Sequence, residues 1–303
     1  MGALVVGQGA RGALVRRLQR RLVDYGLRSA GVDGIFGAET TAAVRDAQTQ
    51  RGLTGTGQAD PATWTALTGE PVPPLLDRAL QLTAAFEGHG FGLAKGNFDG
   101  AGITWGIIGF TLRHGEVGQI IQEAWQQDPA LVRNAFDAET DELLRLLALP
   151  MPDQLSWADQ HSIGSSRAGL AEPWRTHFQA FGDQGAVQAI QLRHVARNYF
   201  QPASATAARY GLKAELGLAL CFDIHVQDGG VSPRADAAIG AQLAPDSPEL
   251  DRRVLIAKCV AALARPEYRA DVAARKTTIA SGTGSVHGVA YTLANWGLDE
   301  TPA

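Results

Sequence analysis

The chain of 303 residues is 45% hydrophobic and 19% charged, a globular rather than a disordered composition, and at roughly 150 residues per domain it predicts two domains, or one with an appendage. A net charge of −4 argues against the basic stripe of a nucleic-acid binder, and no run approaches the roughly 18 uninterrupted apolar residues of a membrane helix. The first residues lack a basic-then-apolar leader pattern, so synthesis in the cytoplasm without a recognisable signal peptide is expected, and Cys221 and Cys259 are too few for a disulfide framework and read as buried thiols.

From Arg11 to Leu22 the apolar residues Leu14, Val15, Leu18 and Leu22 form a helical stripe. Residues 1–70 hold eight Arg and no Lys against six acids, and Arg16, Arg17, Arg20 and Arg21 recur at helical spacing. They read as a solvated helix face, with attraction of an anionic polymer as the alternative. Gly31-Val-Asp-Gly-Ile-Phe-Gly37 is a turn, after which Thr40 or Thr41 opens a second helix through Val44 and Gln48. Asp60-Pro61 supplies an N-cap and a first-turn proline for a short third helix through Trp64 and Leu67. Three prolines in Gly69-Glu-Pro-Val-Pro-Pro74 mark a stiff linker. An amphipathic helix follows from Leu75 to Phe86, then a glycine-dense stretch around Glu87 and Asp99, then the apolar run Ile103 to Phe110, whose β-branched residues favour a strand. Helical patterns dominate thereafter, at 116–125, 128–148, 155–162, 183–198, 204–226, 234–242, 249–263 and 266–277. The fold class is mainly α (α+β), with a small β element near 91–110.

Several chemistries lack their motif. Gly7-Gln-Gly-Ala-Arg-Gly12 has the spacing of a dinucleotide loop, but a turn stands where the second strand and its acidic ribose ligand belong. The seven histidines show no zinc spacing, and neither Ser166 nor the loop Ser281 to Ser285 forms a nucleophile turn. No metal and no cofactor is expected. The carboxylates say more. Glu87 closes an apolar helix, where Phe86 and the negative end of the helix dipole favour its protonated form. Asp99 sits among glycines that leave its carboxylate solvated and let the backbone approach a ligand. A general acid facing a base or nucleophile is the arrangement for glycoside hydrolysis, although a surface helix end and an Asp-Gly turn would read the same way.

The N-terminal residues resemble the peptidoglycan-binding domain of many cell-wall hydrolases. The likeness lies in Val15-x-x-Leu-Gln19, Gly26-Leu27, Val32-Asp-Gly-Ile-Phe-Gly37, Thr40-x-x-Ala-Val44, Gln48, Gly52-Leu53 and Asp60-x-x-Thr-Trp64-x-x-Leu67, with Ala47 where an aromatic is usual. It implies a three-helix module with a shallow groove near the 33–37 turn, and Asp33, Phe36 and Trp64 as its binding residues. Phe98-Asp-Gly-Ala-Gly-Ile-Thr-Trp-Gly-Ile-Ile-Gly-Phe110 is similar to the signature of the glycoside hydrolase family 46 chitosanases, which are lysozyme-like. That resemblance implies Glu87 as general acid, Asp99 as general base and Thr104 as holder of the attacking water. The short connection from Glu87 to Asp99, and Ile103 in place of an aromatic, depart from the family and bear on the substrate.

Domains are therefore expected at 1–68 (peptidoglycan-binding), 69–75 (Pro-rich linker) and 76–303 (a lysozyme-like α-rich hydrolase). Asp223, in an apolar helix, is expected to pair with an Arg. His225, Gln227 and Asp228 at that helix's end, and His287 in a polar loop, are candidate sugar contacts, and Trp105 is either core or platform. The reading is a peptidoglycan hydrolase of muramidase or endolysin type, inverting, monomeric, acting on glycan strands after holin-type release or dedicated secretion. The alternatives are a chitosanase, a lytic transglycosylase needing Glu87 alone, and a non-catalytic wall-binding protein.

Overall fold

The structure, a computed structural model, describes residues 3–27, 31–87 and 90–303, the side chain of Glu87 excepted. Its elements in chain order begin with helices α1 (Ala13–Asp24), α2 (Ala38–Gln50), α3 (Pro61–Thr68) and α4 (Leu75–Glu87). Strands β1 (Ala94–Lys95), β2 (Thr104–Trp105) and β3 (Phe110–Thr111) follow, then α5 (Glu116–Gln127), α6 (Pro129–Phe136), α7 (Thr140–Ala148) and α8 (Met151–Gln160). After the hairpin β4 (Ser162–Ile163) and β5 (Gly169–Leu170) come α9 (Trp174–Asp183) and α10 (Gly185–Val195), a π-helical turn Ala196–Phe200, α11 (Gln201–Arg209), α12 (Glu215–Asp228), α13 (Pro233–Gly240), α14 (Glu249–Ala262) and α15 (Arg269–Ser281). The hairpin β6 (Thr283–Val286) and β7 (Val289–Thr292) precedes a closing 3₁₀ turn. The fold is mainly α, with short strands.

The chain forms two compact units, Met1–Phe86 together with Tyr199–Ala303, and Glu87–Asn198. In the first, α1 to α3 build a small core from Val15, Leu18, Leu22, Phe36, Val44, Trp64 and Leu67. Two buried glutamines organise its turns in the same way. Gln19 accepts from Gly34 N at 2.7 Å and donates to Asp33 Oδ1 at 2.8 Å, while Gln48 accepts from Gly57 N at 2.8 Å and donates to Thr63 Oγ1 at 2.9 Å. Asp60 caps α3 as its spacing predicts, accepting from Thr63 N at 2.7 Å, whereas α2 starts earlier than Thr40, with Gly37 at its N-cap. The three helices are docked on the rest of their unit. Leu14 N donates to Gln81 Oε1 at 2.7 Å, Gly7 N to the Asn295 carbonyl at 2.7 Å, and Asn295 Nδ2 to the Gln8 carbonyl at 2.9 Å. Arg78 holds the proline segment through the Pro73 carbonyl at 3.2 Å and is paired with Glu215 at 2.6 Å.

The helix α12 is apolar on every face, the pattern of a central helix; Leu220, Cys221, Phe222, Asp223 and Ile224 are all fully buried. Burial pushes the Cys221 thiol up to about 12, so both cysteines are inert, buried thiols. Asp223 meets Arg275 Nη2 at 2.7 Å, Lys276 Nζ at 2.7 Å and the Thr83 hydroxyl at 3.0 Å. Burial alone would raise its pKa, but the two adjacent cations outweigh that and hold its carboxyl well below the usual carboxylate range.

In the second unit the aromatic core consists of Trp105, Phe110, Phe136, Phe178 and Phe181, each essentially fully buried. Trp105 stacks on Phe181 with ring centroids 5.4 Å apart, and Phe136 meets Phe178 edge-on at 5.1 Å. Four expectations need correction. The pattern over 128–148 is two helices, α6 and α7, with a 3₁₀ turn at Asp137–Glu139 between them. The helix α9 was not expected, although Trp174, Phe178 and Phe181 stand at i, i+4 and i+7 and form its buried face. The pattern over 204–226 is two helices, since Gly211, at φ +67°, ends the first. Two hairpins also follow Phe110 where strands were not expected, because each of their four strands is only two to four residues long.

Asp223→Ala removes the fully buried carboxylate that faces two buried cations and is expected to cost about 3–5 kcal/mol in a urea titration at neutral pH. Because the folded carboxyl titrates below the unfolded one, its stabilisation is complete above about pH 4 and is lost as pH falls toward the folded value. A wild-type acid limb that Asp223→Asn leaves unchanged would refute this assignment.

Candidate active site

The helix α4 delivers Glu87 as its last residue. One turn earlier the Thr83 hydroxyl bonds Asp223, and Phe86 lies beneath the Arg275 guanidinium, 5.1 Å from the ring centroid, and 4.9 Å from the Tyr291 ring. The backbone ahead of Glu87 is thus fixed by a buried ionic cluster; the Glu87 side chain itself lies outside the described residues.

Asp99 is exposed, at the head of a tight loop in which its Oδ1 accepts from Ala101 N at 2.9 Å. The loop is braced by a residue the sequence reading passed over. Asn97, 7% exposed, accepts from Gly102 N at 2.7 Å, donates to Asp159 Oδ1 at 2.7 Å, and its own N–H meets Ser162 Oγ at 2.7 Å. Arg167 pairs with the same Asp159 oxygen at 2.7 Å. Gly102 has to be glycine: φ is +80°, and a Cβ would stand 2.9 Å from Leu155 Cδ2. A polar residue two positions before a predicted base, inside its glycine loop, was the available signal for Asn97.

Thr104 lies on β2 between Lys95 of β1 and Thr111 of β3. It is 7% exposed, and its hydroxyl has no hydrogen-bond partner. A buried hydroxyl seldom stays unpaired, so the position suits a bound water or a ligand oxygen. Trp105, pointing the other way, donates to the Phe178 carbonyl at 2.9 Å and is core, not platform. Behind the sheet, Gln191 ties the Ile107 amide and the Phe91 carbonyl together, each at 3.0 Å. Asp99 thus heads a braced loop that leads into β2, where Thr104 lies.

The remaining candidates separate. His225, lowered in pKa by burial, is engaged with the Thr206 hydroxyl at 2.9 Å, which makes it a packing residue before a sugar contact. Asp228 pairs with Lys276 Nζ at 3.1 Å and lines a surface pocket of about 170 Å³. Gln227 keeps a buried Oε1 without a partner. His287 is the tip of the β6–β7 hairpin at φ +50°, 2.6 Å from Asp271, about a turn and a half along α15 from the Lys276 that holds Asp228. It is a turn residue rather than part of that group. In the N-terminal helices, Phe36 and Trp64 are fully buried and cannot meet a glycan without unfolding, while Asp33 accepts from Ile35 N and Gln19 Nε2, which lower its pKa. The exposed side chains of that turn are Val32, Asp33 and Ile35. Among the described residues no group of His, Cys, Asp and Glu is placed to hold a metal, and no helix is long and apolar enough to cross a membrane.

The sequence pattern of glycosyl hydrolase family 46 matches residues 83–242, which include α4's end, the braced loop and the orphan threonine. The chain belongs to glycosyl hydrolase family 46. A putative peptidoglycan binding domain matches residues 11–67. A chitosanase solved in a complex is 21% identical, with 71% of this chain and 95% of that one covered at a TM-score of 0.51; at that identity the likeness is one of fold. A family 46 chitosanase from Gynuella sunshinyii, in complex with chitotetraose, is 22% identical over 69% of this chain and 87% of its own, with a TM-score of 0.48. The Burkholderia AP3 phage endolysin is 21% identical over 72% and 97%, with a TM-score of 0.20. No curated protein matches the chain. As a family 46 member with a peptidoglycan-binding domain, the protein is a glycoside hydrolase acting on cell-wall-like glycan polymers.

Asn97→Ala strips the acceptor from the buried Gly102 amide and is expected to cost about 1–3 kcal/mol. Because the loop carries Asp99, kcat should fall more than KM changes. Thermal unfolding and steady-state kinetics on a soluble glycan measure both, and an unchanged kcat would show that the brace does not position the loop.

Proposed function

We propose that the chain is a peptidoglycan hydrolase of muramidase type, cutting β-1,4 glycosidic bonds with Glu87 as general acid and Asp99 as general base. The observation that carries the chemistry is the buried, unpartnered Thr104 hydroxyl, five residues after Asp99 on the strand its loop leads into. In this reading a water held there is the nucleophile that Asp99 activates. Protonation of the leaving oxygen by Glu87 and attack by that water on the opposite face of the sugar invert the anomeric carbon. The peptidoglycan-binding domain on the same chain supports the substrate, since it concentrates the enzyme on the polymer it cuts. In this reading the module spans 1–68, the linker 69–75 and the catalytic part 76–303, and the enzyme acts as a monomer at the cell wall after release from the cytoplasm.

A second reading, chitosanase, is favoured by the names of the solved relatives. The two separate on product analysis. Wild type, Glu87→Gln, Asp99→Asn and Thr104→Val are incubated with purified peptidoglycan and with chitosan, and the new ends are identified by mass spectrometry after borohydride reduction. Reduced muramic acid from wild type is expected, with losses of about 10²–10⁴-fold in the two carboxylate variants and a smaller loss in Thr104→Val. Glucosamine oligomers from chitosan, with peptidoglycan untouched, would establish the second reading instead. Anhydro-sugar ends with Asp99→Asn fully active would identify a lytic transglycosylase. The first-formed anomer, followed by NMR, is expected to be α.

A further inference from the structure

The three-stranded sheet has two faces. Antiparallel pairing sets Lys95 opposite Thr104 and Thr104 opposite Thr111, so these three share one face, and Ala94, Trp105 and Phe110 share the other. Directly opposed Cβ atoms lie about 4.5–5.5 Å apart, which stands the aliphatic stem of Lys95 beside the orphan threonine. The Lys95 ammonium lies 6.0 Å over the ring of Phe98, which is 47% exposed and next to Asp99. On the other flank Arg113 Nε donates to the Gly100 carbonyl at 2.8 Å, leaving its terminal nitrogens for another acceptor. Neither Lys95 nor Arg113 forms an ion pair with any described residue; Arg167, the neighbouring cation, is already paired with Asp159. From Phe91 to Gly115 the sole acid is Asp99, and the next, Glu116, turns back to accept from Thr111 N at 3.2 Å.

Two cations without counter-charge therefore flank the base. That arrangement repels a polyglucosamine, whose every residue carries an ammonium, and suits a glycan that carries carboxylates. Resting on the muramidase reading above, we propose that Lys95 and Arg113 are specificity residues that bind a substrate carboxylate beside the scissile bond. Peptidoglycan offers that group in two places, on the peptide stem and, where the stem has been removed, on the lactyl ether of the sugar. The Arg113 fork takes a carboxylate through two parallel N–H bonds while its Nε stays on Gly100, and Lys95 adds a point charge from the Thr104 side. At exposed positions the two contacts together amount to roughly a tenfold preference.

The test compares kcat/KM of the full chain on intact peptidoglycan, on the same material with its carboxyls amidated by carbodiimide, and on amidase-stripped strands. Wild type is expected to favour intact over amidated polymer roughly tenfold. That ratio should fall toward one in Lys95→Met with Arg113→Gln, and to invert in Lys95→Glu. Stripped strands are compared with their own amidated form: a preference on intact polymer that disappears on stripped strands places the contact on the stem, and one that is retained there shows that the freed lactyl carboxylate is taken as well. Since Arg113→Gln also releases Gly100, a structural loss would lower both rates and leave the ratio intact; Lys95→Met alone is free of that effect. A wild-type ratio near one, or a ratio that the variants leave unchanged, overturns the proposal while the muramidase reading stands. Cleavage of chitosan alone overturns both.

Discussion

Asp223 is the constraint on which the first unit is built. It is a fully buried carboxylate in the apolar middle of α12, and two elements converge on it: α4 through Thr83, and α15 through Arg275 and Lys276. A buried ion pair is weak evidence of net stability, because desolvation opposes the Coulombic gain. Its value here is geometric. An apolar side chain at that position would leave α4 free to slide or rotate on α12, whereas the fork of Arg275 and the point charge of Lys276 define one register. Arg275 reaches on to the Phe86 ring and Lys276 on to Asp228, so the same cluster sets the last turn of the helix ending in Glu87 and the last residue of α12.

The second unit reaches its rigidity by a different route. Its sheet is only two residues deep in each strand, too little to be stable alone, and it is held by the aromatic core behind it and by side-chain amides at its edges. Gln191 serves the backbone on one side and Asn97 on the other. Gln19 and Gln48 do the same for the turns of the N-terminal helices. A primary amide can donate and accept at once, which is why it recurs wherever a glycine turn must be fixed without adding charge.

Those amides also mark the limit of what could be read from the sequence. Elements governed by local chemistry were legible: the stripe of α1, the Asp60-Pro61 start of α3, the all-apolar α12 and the pairing of its Asp223 with an arginine. The proposed roles of Glu87, Asp99 and Thr104 rest on a family signature that runs through them, and glycine spacing alone would have left Asp99 a turn former. What stayed hidden depends on distant partners. Asn97 reads as one more loop residue until Asp159 and Ser162 come to it, and Phe36 and Trp64 read as surface aromatics until the three helices close over them. His287 looked like a ligand because histidine is chemically versatile, yet its position is decided by the hairpin turn that places it at positive φ.

The polar atoms left over point in the same direction as the signature. Among the described residues the buried side-chain atoms without a partner are Gln81 Nε2, His194 Nδ1, Gln227 Oε1 and Thr104 Oγ1. Gln81 and His194 have already engaged their other polar atom, with Leu14 N and with Glu123. Thr104 differs, since the hydroxyl is the only polar atom of its side chain and nothing among the described residues uses it. A protein that satisfies Asp223 three times over and sets amides against the turns at Gly34, Gly57 and Gly102 has no shortage of ways to pair a threonine, and valine would serve β2 equally well if packing were the only demand. The hydroxyl is explained if its partner arrives from solvent with the substrate, as the roles proposed for Asp99, Lys95 and Arg113 require.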